Sequence, residues 1–126
     1  MHIDHLDHLV LTVADIDTSC AFYTRVMGME KLVFGEGRVA LRFGQQKINL
    51  HRHHAELRPH ATTPLPGSAD LCFIARTPLA DVITHLEMCG VPLLEGPVAR
   101  TGATGPIRSV YFRDPDGNLI EVSNPA

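Results

Sequence analysis

Apolar and polar positions along the first half of the chain follow a strand pattern and then a helix pattern. Residues 6–13 alternate and are rich in β-branched and apolar side chains, which predicts a strand. The next apolar residues recur at helical spacing and predict a helix of about ten residues, capped by Asp15 or Thr18 and ended by Gly28. The apolar stripe of this helix consists of Ile16, Cys20, Phe22, Tyr23 and Val26.

The following apolar segments complete one unit, and the second half of the chain repeats its order. Three strands separated by two glycine-containing turns are predicted at 31–34, 38–43 and 47–51. The corresponding elements of the second half are a strand at 70–75, a helix at about 79–89, and strands at 92–95, 107–112 and 118–123. The predicted fold class is therefore α+β, with two βαβββ modules whose mixed sheets form an open cup.

Two irregular segments separate these elements. The polar, proline-bearing stretch 53–67 predicts a linker, and the glycine-containing stretch 96–106 predicts a long loop that can act as a lid. We expect one domain over residues 1–126, with module one at about 4–52 and module two at about 68–124.

Composition narrows the possible partners. The 126 residues include 11 Lys and Arg against 14 Asp and Glu, a formal charge of −3 without a basic cluster, so nucleic acid is not expected as a partner. No apolar run approaches the roughly 20 residues of a membrane span, and the N-terminus lacks the features of a signal peptide. Three cysteines, an odd number, lie within apolar patterns. They predict reduced core cysteines and a cytoplasmic protein.

The duplication places four polar positions in correspondence. His8 opens the first strand of one copy and Asp70 that of the other, while Asn49 and Glu121 occupy equivalent places in the last strands. Side chains at alternate strand positions share a face, so His51 shares a face with Asn49.

Three of these side chains are good ligands for a divalent metal ion. His8, His51 and Glu121 supply two imidazoles and a carboxylate, a set that leaves positions open for water or substrate. His51 is favoured over Asn49, because an amide is a poor ligand for all but hard cations. Glu121 is flanked by apolar residues, and burying such a carboxylate is costly unless it is paired or bound to metal.

Other polar and aromatic residues are candidates for catalysis or substrate binding. Asp70 could be a fourth ligand, a general base, or a capping residue that accepts hydrogen bonds from backbone amides. The expected catalytic residues are Asp70 and Glu121. The expected substrate pocket is lined by Asn49, Arg42, Phe73 and Tyr111.

The motifs at the two ends of the chain resemble those of the vicinal oxygen chelate superfamily, which includes glyoxalase I, bleomycin-binding proteins and extradiol dioxygenases. The similar segments are Asp7-His8-Leu9-Val10-Leu11-Thr12-Val13, Ala21-Phe22-Tyr23 running to Met27-Gly28-Met29, and Tyr111-Phe112-Arg113-Asp114-Pro115-Asp116-Gly117-Asn118-Leu119-Ile120-Glu121. Among its members, the small glyoxalase-like proteins labelled as virulence proteins are the most similar.

This resemblance implies a function and a cofactor. It implies a lyase, isomerase or dioxygenase that binds vicinal oxygens of a small organic substrate through a divalent ion (Ni, Mn, Fe or Zn), with His8 and Glu121 matching the first and last ligands of the family. Many relatives are homodimers, and a homodimer is expected here. Asn49 and Asp70 depart from the glyoxalase I pattern, so the lactoylglutathione reaction is not implied. The alternative is a non-catalytic protein that binds a small molecule or antibiotic.

Overall fold

Two units with the same succession of elements make up the chain, and the computed structural model describes all residues from 1 to 126. Met1–Ser68 contains β1 (His8–Val13), α1 (Ile16–Met27), β2 (Glu30–Phe34), β3 (Arg38–Phe43) and β4 (Gln46–Arg52). Ala69–Ala126 contains β5 (Asp70–Ile74), α2 (Leu79–Met88), β6 (Glu95–Gly102), β7 (Gly105–Arg113) and β8 (Leu119–Pro125). The predicted α+β class and the βαβββ order of each module are confirmed.

The two sheets share one topology, and their parallel pairs share one register. Their strand orders are β1-β4-β3-β2 and β5-β8-β7-β6, with a parallel pair at one edge of each. His8 is aligned with Lys47 in the first unit, and Asp70 with Leu119 in the second. Because the remaining pairs follow in step, Asn49 and Glu121 hold equivalent positions, as the duplication predicts.

One face of each sheet carries the apolar core. In the first unit, the face that includes Leu11, Ile48 and Leu41 is buried, and α1 packs on this unit's sheet with Cys20, Tyr23 and Val26 buried. In the second unit the corresponding buried residues are Val110, Phe112, Ile120 and Val122, together with Leu79 and Leu86 of α2. Side chains alternate along a strand, so the polar candidates lie on the opposite face of each sheet.

Helix α1 begins and ends where the sequence predicts. Asp15 is the N-cap, and its Oδ1 accepts a hydrogen bond from the Thr18 backbone N–H at 2.9 Å. Gly28 ends the helix with a φ of 66°, a left-handed conformation that costs glycine little.

The segment predicted as a lid is a β-hairpin. Residues 95–102 form β6 and pair antiparallel with β7, from Val98 opposite Ser109 to Gly102 opposite Gly105. The glycines and prolines of this segment suggested a loop, but Gly96 instead allows close approach of two strands. A Cβ at Gly96 would lie 2.4 Å from the Ser109 carbonyl oxygen. The prediction of an irregular loop over 96–106 is therefore wrong.

A turn anchored by two buried side chains, Asp114 and Asn118, leads into β8. Asp114 is 5% exposed, and its Oδ1 accepts the backbone N–H groups of Asp116 and Asn118, each at 2.9 Å. Its Oδ2 accepts a hydrogen bond from Nδ2 of Asn118 at 2.7 Å, and Oδ1 of Asn118 accepts the Ala69 N–H at 2.9 Å. The turn thus ties the start of β8 to the residue before β5.

Neither helix of the chain has the length and apolar character needed to cross a bilayer.

Candidate functional site

A row of ionisable side chains crosses the polar face of the first unit. His8, Lys47, Arg42 and Glu30 are aligned across β1, β4, β3 and β2. His8 contacts Oδ2 of Asp7 through Nδ1 at 2.8 Å, which lowers the pKa of Asp7. This contact leaves Nε2 of His8 as the ring nitrogen for another partner, in the carboxylate–histidine arrangement common beside metal ions.

Two buried polar residues lie on the same face without partners. Asn49 and His51 are 4% and 7% exposed, and Oδ1 of Asn49 and both ring nitrogens of His51 lack a hydrogen bond. Burial, aided by the positive charge of Arg38, lowers the pKa of His51, so the neutral imidazole is favoured. Leaving a buried polar group unpaired costs roughly 1–3 kcal/mol, so the unpaired Asn49 and His51 side chains lower the stability of the folded state.

The lowered pKa of His51 predicts a pH dependence of stability in protein freed of metal by EDTA. The unfolded state takes up a proton near the ordinary value of about 6.5, whereas the folded state takes it up only at lower pH. The stability that the folded state gains from keeping His51 neutral is therefore fully present above pH 6.5. It is lost as the pH falls from there towards the pKa of His51 in the folded state. Urea midpoints of wild type should fall more between pH 7.5 and 5.5 than those of His51→Gln. The exposed-site variant His2→Gln should behave like wild type, and identical profiles for wild type and His51→Gln would contradict the prediction.

The register separates His8 from His51. Thr12 is the partner of His51 in the parallel pair, so His8 lies four residues, about 13 Å, away along the strand. Imidazoles that stand perpendicular to one sheet at this spacing do not reach a common ion, whose ligand nitrogens lie at about 2.0–2.1 Å. Asn49 is the diagonal neighbour of His8, and the expected pairing of His8 with His51 on one ion is not supported.

In the second unit Glu121 occupies the polar face with its carboxylate held on one side. Its Oε2 accepts a hydrogen bond from the Ser109 hydroxyl at 2.5 Å and a longer one from Ser123 at 3.4 Å. Ser109 was not among the predicted site residues. Alternation along 107–112 could have identified it, because Ser109 and Tyr111 are the polar positions that face the same way as Glu121.

Asp70 and Cys72 lie beside Glu121 on this face. Cys72 is aligned with Glu121 in the parallel pair, and Asp70, two residues earlier, is its diagonal neighbour at a typical Cα separation of about 7–8 Å. The exposed Asp70 carboxylate has no hydrogen-bond partner, which gives no support to the capping role. Cys72 is exposed rather than in the core as predicted, and partial desolvation raises the pKa of its thiol, so the thiol form is favoured.

Of the four residues predicted to line a pocket, three lie on polar faces. Arg42 and Asn49 belong to the polar face of the first unit. Tyr111 belongs to that of the second, where its hydroxyl accepts a hydrogen bond from Nε of Arg100 at 3.0 Å. Burial raises the pKa of Tyr111. Phe73 is aligned with buried Val122, on the face of the sheet opposite Glu121, because it alternates with Cys72.

The polar faces of the two units carry side chains of the types that bind divalent cations. No three His, Cys, Asp or Glu side chains of the chain lie together as a group that could hold an ion. The second unit supplies two carboxylates on one face, and one of them is already oriented by a serine hydroxyl. The first unit supplies an imidazole oriented by Asp7. These oriented imidazole and carboxylate groups fit the ligand chemistry of Mn, Fe, Ni or Zn.

Comparison with known proteins gives close relatives over nearly the whole chain. The chain is 57% identical over 123 residues to virulence protein STM3117 of Salmonella typhimurium, covering 98% of this chain and 85% of the relative. The crystal structure of that protein superimposes with a TM-score of 0.99, 56% identity and full coverage of both chains. The glyoxalase domain-containing protein RDO1 of Mycosarcoma maydis is 53% identical over 124 residues, which are 98% of this chain and 70% of the relative.

A more distant solved structure contains a metal ion. The fosfomycin resistance protein FosX of Listeria monocytogenes, complexed with Mn(II) and sulfate, superimposes with a TM-score of 0.70 at 18% identity, covering 99% of this chain and 93% of FosX. This similarity shows the fold alone. The sequence model of the Glyoxalase/Bleomycin resistance protein/Dioxygenase superfamily matches residues 5–122. The chain therefore belongs to that superfamily.

Proposed function

We propose that the protein is a metal-dependent enzyme that binds a small organic substrate through two adjacent oxygen atoms. The observation that carries the proposal is the Glu121 carboxylate, whose Oε2 is anchored by the Ser109 hydroxyl on the polar face of the second unit. Membership of a superfamily whose fold also occurs in a Mn(II)-containing protein supports it.

The candidate ligands are Glu121, its diagonal neighbour Asp70, and His8. His8 is contributed by the first unit of the same chain or of a second subunit, in the homodimer that the family resemblance implies. A bound divalent ion supplies Lewis-acid chemistry, because it polarises the oxygens that it coordinates. Asp7 and Ser109 are positioning residues, which orient His8 and Glu121 through hydrogen bonds.

Thermal unfolding in the presence of metals tests this function. A ligand at 100 times its Kd stabilises the folded state by about 2.7 kcal/mol, which corresponds to a rise in Tm of roughly 10 °C for a domain of this size. We expect such a rise with at least one of Mn²⁺, Fe²⁺, Ni²⁺ and Zn²⁺ relative to EDTA, and its loss in His8→Ala.

The control is His2→Ala, which removes an exposed imidazole near the same end of the chain. It should retain the metal-dependent rise. A Tm that does not respond to any of the four metals, together with retained binding of flat organic molecules in EDTA, would favour a non-catalytic binding protein instead.

A further inference from the structure

An open cavity of about 380 Å³ lies at the β3–β4 turn of the first unit. It is lined by Asp7, Arg42, Gly44, Gln45, Gln46 and Lys47. One wall is fixed by the Gln46 side chain, whose Nε2 donates a hydrogen bond to the Leu6 carbonyl oxygen at 2.9 Å. None of these residues is a proposed metal ligand, and Arg42 alone among them also belongs to the predicted substrate pocket.

Two cations of this cavity stand directly opposite each other. Arg42 and Lys47 are aligned in the antiparallel β3–β4 pair, and like charges at such positions destabilise a sheet. Glu30 accepts a hydrogen bond from one Nη of Arg42 at 2.9 Å. The Lys47 ammonium lies 3.8 Å from the centroid of the Phe34 ring and has no carboxylate partner. A carboxylate bound beside Lys47 would give its ammonium the anionic partner that Glu30 gives Arg42.

Unused hydrogen-bond donors dominate the cavity. An arginine has five N–H donors and a lysine three, and Glu30 accepts only one of this set. Asp7, the acidic residue of the lining, is engaged by His8. The formal charges of Arg42 and Lys47 are matched by those of Asp7 and Glu30. The cavity therefore offers hydrogen-bond donors without excess positive charge, which suits a monoanionic carboxylate better than a dianionic phosphate.

The cavity lies next to a proposed metal ligand. Lys47 is the aligned partner of His8 in the β1–β4 pair, and Asp7 both lines the cavity and contacts the His8 ring. A small molecule with one end in the cavity would therefore extend its other end towards His8.

We propose that this cavity binds a carboxylate of the substrate, and that the substrate is an organic acid whose carboxylate is separate from the oxygens that chelate the metal. This inference rests on the proposed function for the chelating end, but the carboxylate site itself does not require metal. It defines a substrate class that Arg42 and Lys47 select.

Calorimetric titration with malate and lactate tests the inference on the whole protein. Both are 2-hydroxy acids, but only malate carries a second carboxylate. With stoichiometric Mn²⁺ we expect malate to bind at least tenfold more tightly than lactate, because the only carboxylate of lactate is then engaged by the ion. In EDTA we expect malate to bind more weakly but still measurably. Lys47→Met should weaken malate binding roughly tenfold in both conditions, the change expected when one charge-assisted hydrogen bond is lost, and with Mn²⁺ it should leave lactate binding within about twofold.

Lys31→Met is the matched control, because Lys31 is an exposed lysine on β2 that alternates with Glu30 and does not line the cavity. An equal loss of malate affinity in Lys47→Met and Lys31→Met, or tighter binding of inorganic phosphate than of malate, would overturn the carboxylate site. Malate binding that does not respond to Mn²⁺ but is weakened by Lys47→Met and not by Lys31→Met would contradict the proposed metal function and leave the carboxylate site standing.

Discussion

Glu121→Gln should lower the affinity for the activating metal by roughly 1000-fold or more, and metal-dependent activity should be lost with it. The substitution keeps the shape of the side chain but replaces a carboxylate by an amide, a poor ligand for transition metals. Removing a group that only orients a ligand already costs about 10–100-fold, which is the effect expected for Ser109→Ala. Calorimetric titration with Mn²⁺ and Ni²⁺ measures both effects.

The matched control is Glu87→Gln on α2, where an exposed glutamate is replaced in the same way. It should bind metal like wild type. If Glu121→Gln, with an unchanged circular dichroism spectrum, also bound metal like wild type, Glu121 would not be a ligand.

Unfolding the variants His8→Ala and Glu121→Gln together and refolding the mixture distinguishes a site shared between two subunits from a site within one chain. If each site combines His8 of one subunit with Glu121 of the other, a mixed dimer contains one intact site, and metal binding partly returns. If both residues come from one chain, every site in the mixture lacks a ligand and binding stays absent.

Asp114→Ala should lower the free energy of unfolding by about 3–4 kcal/mol. The buried carboxylate accepts two backbone N–H groups and the Asn118 side chain, and hydrogen bonds to a charged group contribute roughly 1.5–3 kcal/mol each without adding fully. Urea denaturation followed by circular dichroism measures the loss.

Glu36→Ala in the β2–β3 turn removes an exposed carboxylate and should change the unfolding free energy by less than about 0.5 kcal/mol. An Asp114→Ala midpoint close to that of Glu36→Ala would show that the turn is not held by its carboxylate. A loss of stability below pH 4 in wild type would not by itself distinguish these cases, because many carboxylates titrate there.

The fold was predictable because its signals are local and occur twice. Alternation located β1, β3 and β4 to within about two residues, and Asp15 and Gly28 marked the ends of α1. The β6 strand was missed because Gly96, Pro97 and Gly102 are residues typical of loops, and the strand pairing that overrides this preference involves β7, which follows it in the chain.

The site was less predictable than the fold. Alternation correctly assigns His51 to the polar face, but only the register of β1 against β4 shows that it lies four residues from His8. Phe73 lies on the face opposite Glu121, a position that its residue type does not reveal, since an aromatic side chain suits a pocket and a core equally well. The anchoring of Glu121 by Ser109 depends on the pairing of β7 with β8, which the sequence of either strand alone does not reveal.

The common register of the β1–β4 and β5–β8 pairs gives each functional position on these strands a counterpart in the other unit. The counterpart of His8 is Asp70, that of Asn49 is Glu121, and that of His51 is Ser123. At these positions the first unit carries imidazoles and an amide, and the second carries carboxylates and a hydroxyl. New ligand sets can thus evolve in this scaffold by single side-chain exchanges, without any rearrangement of the main chain.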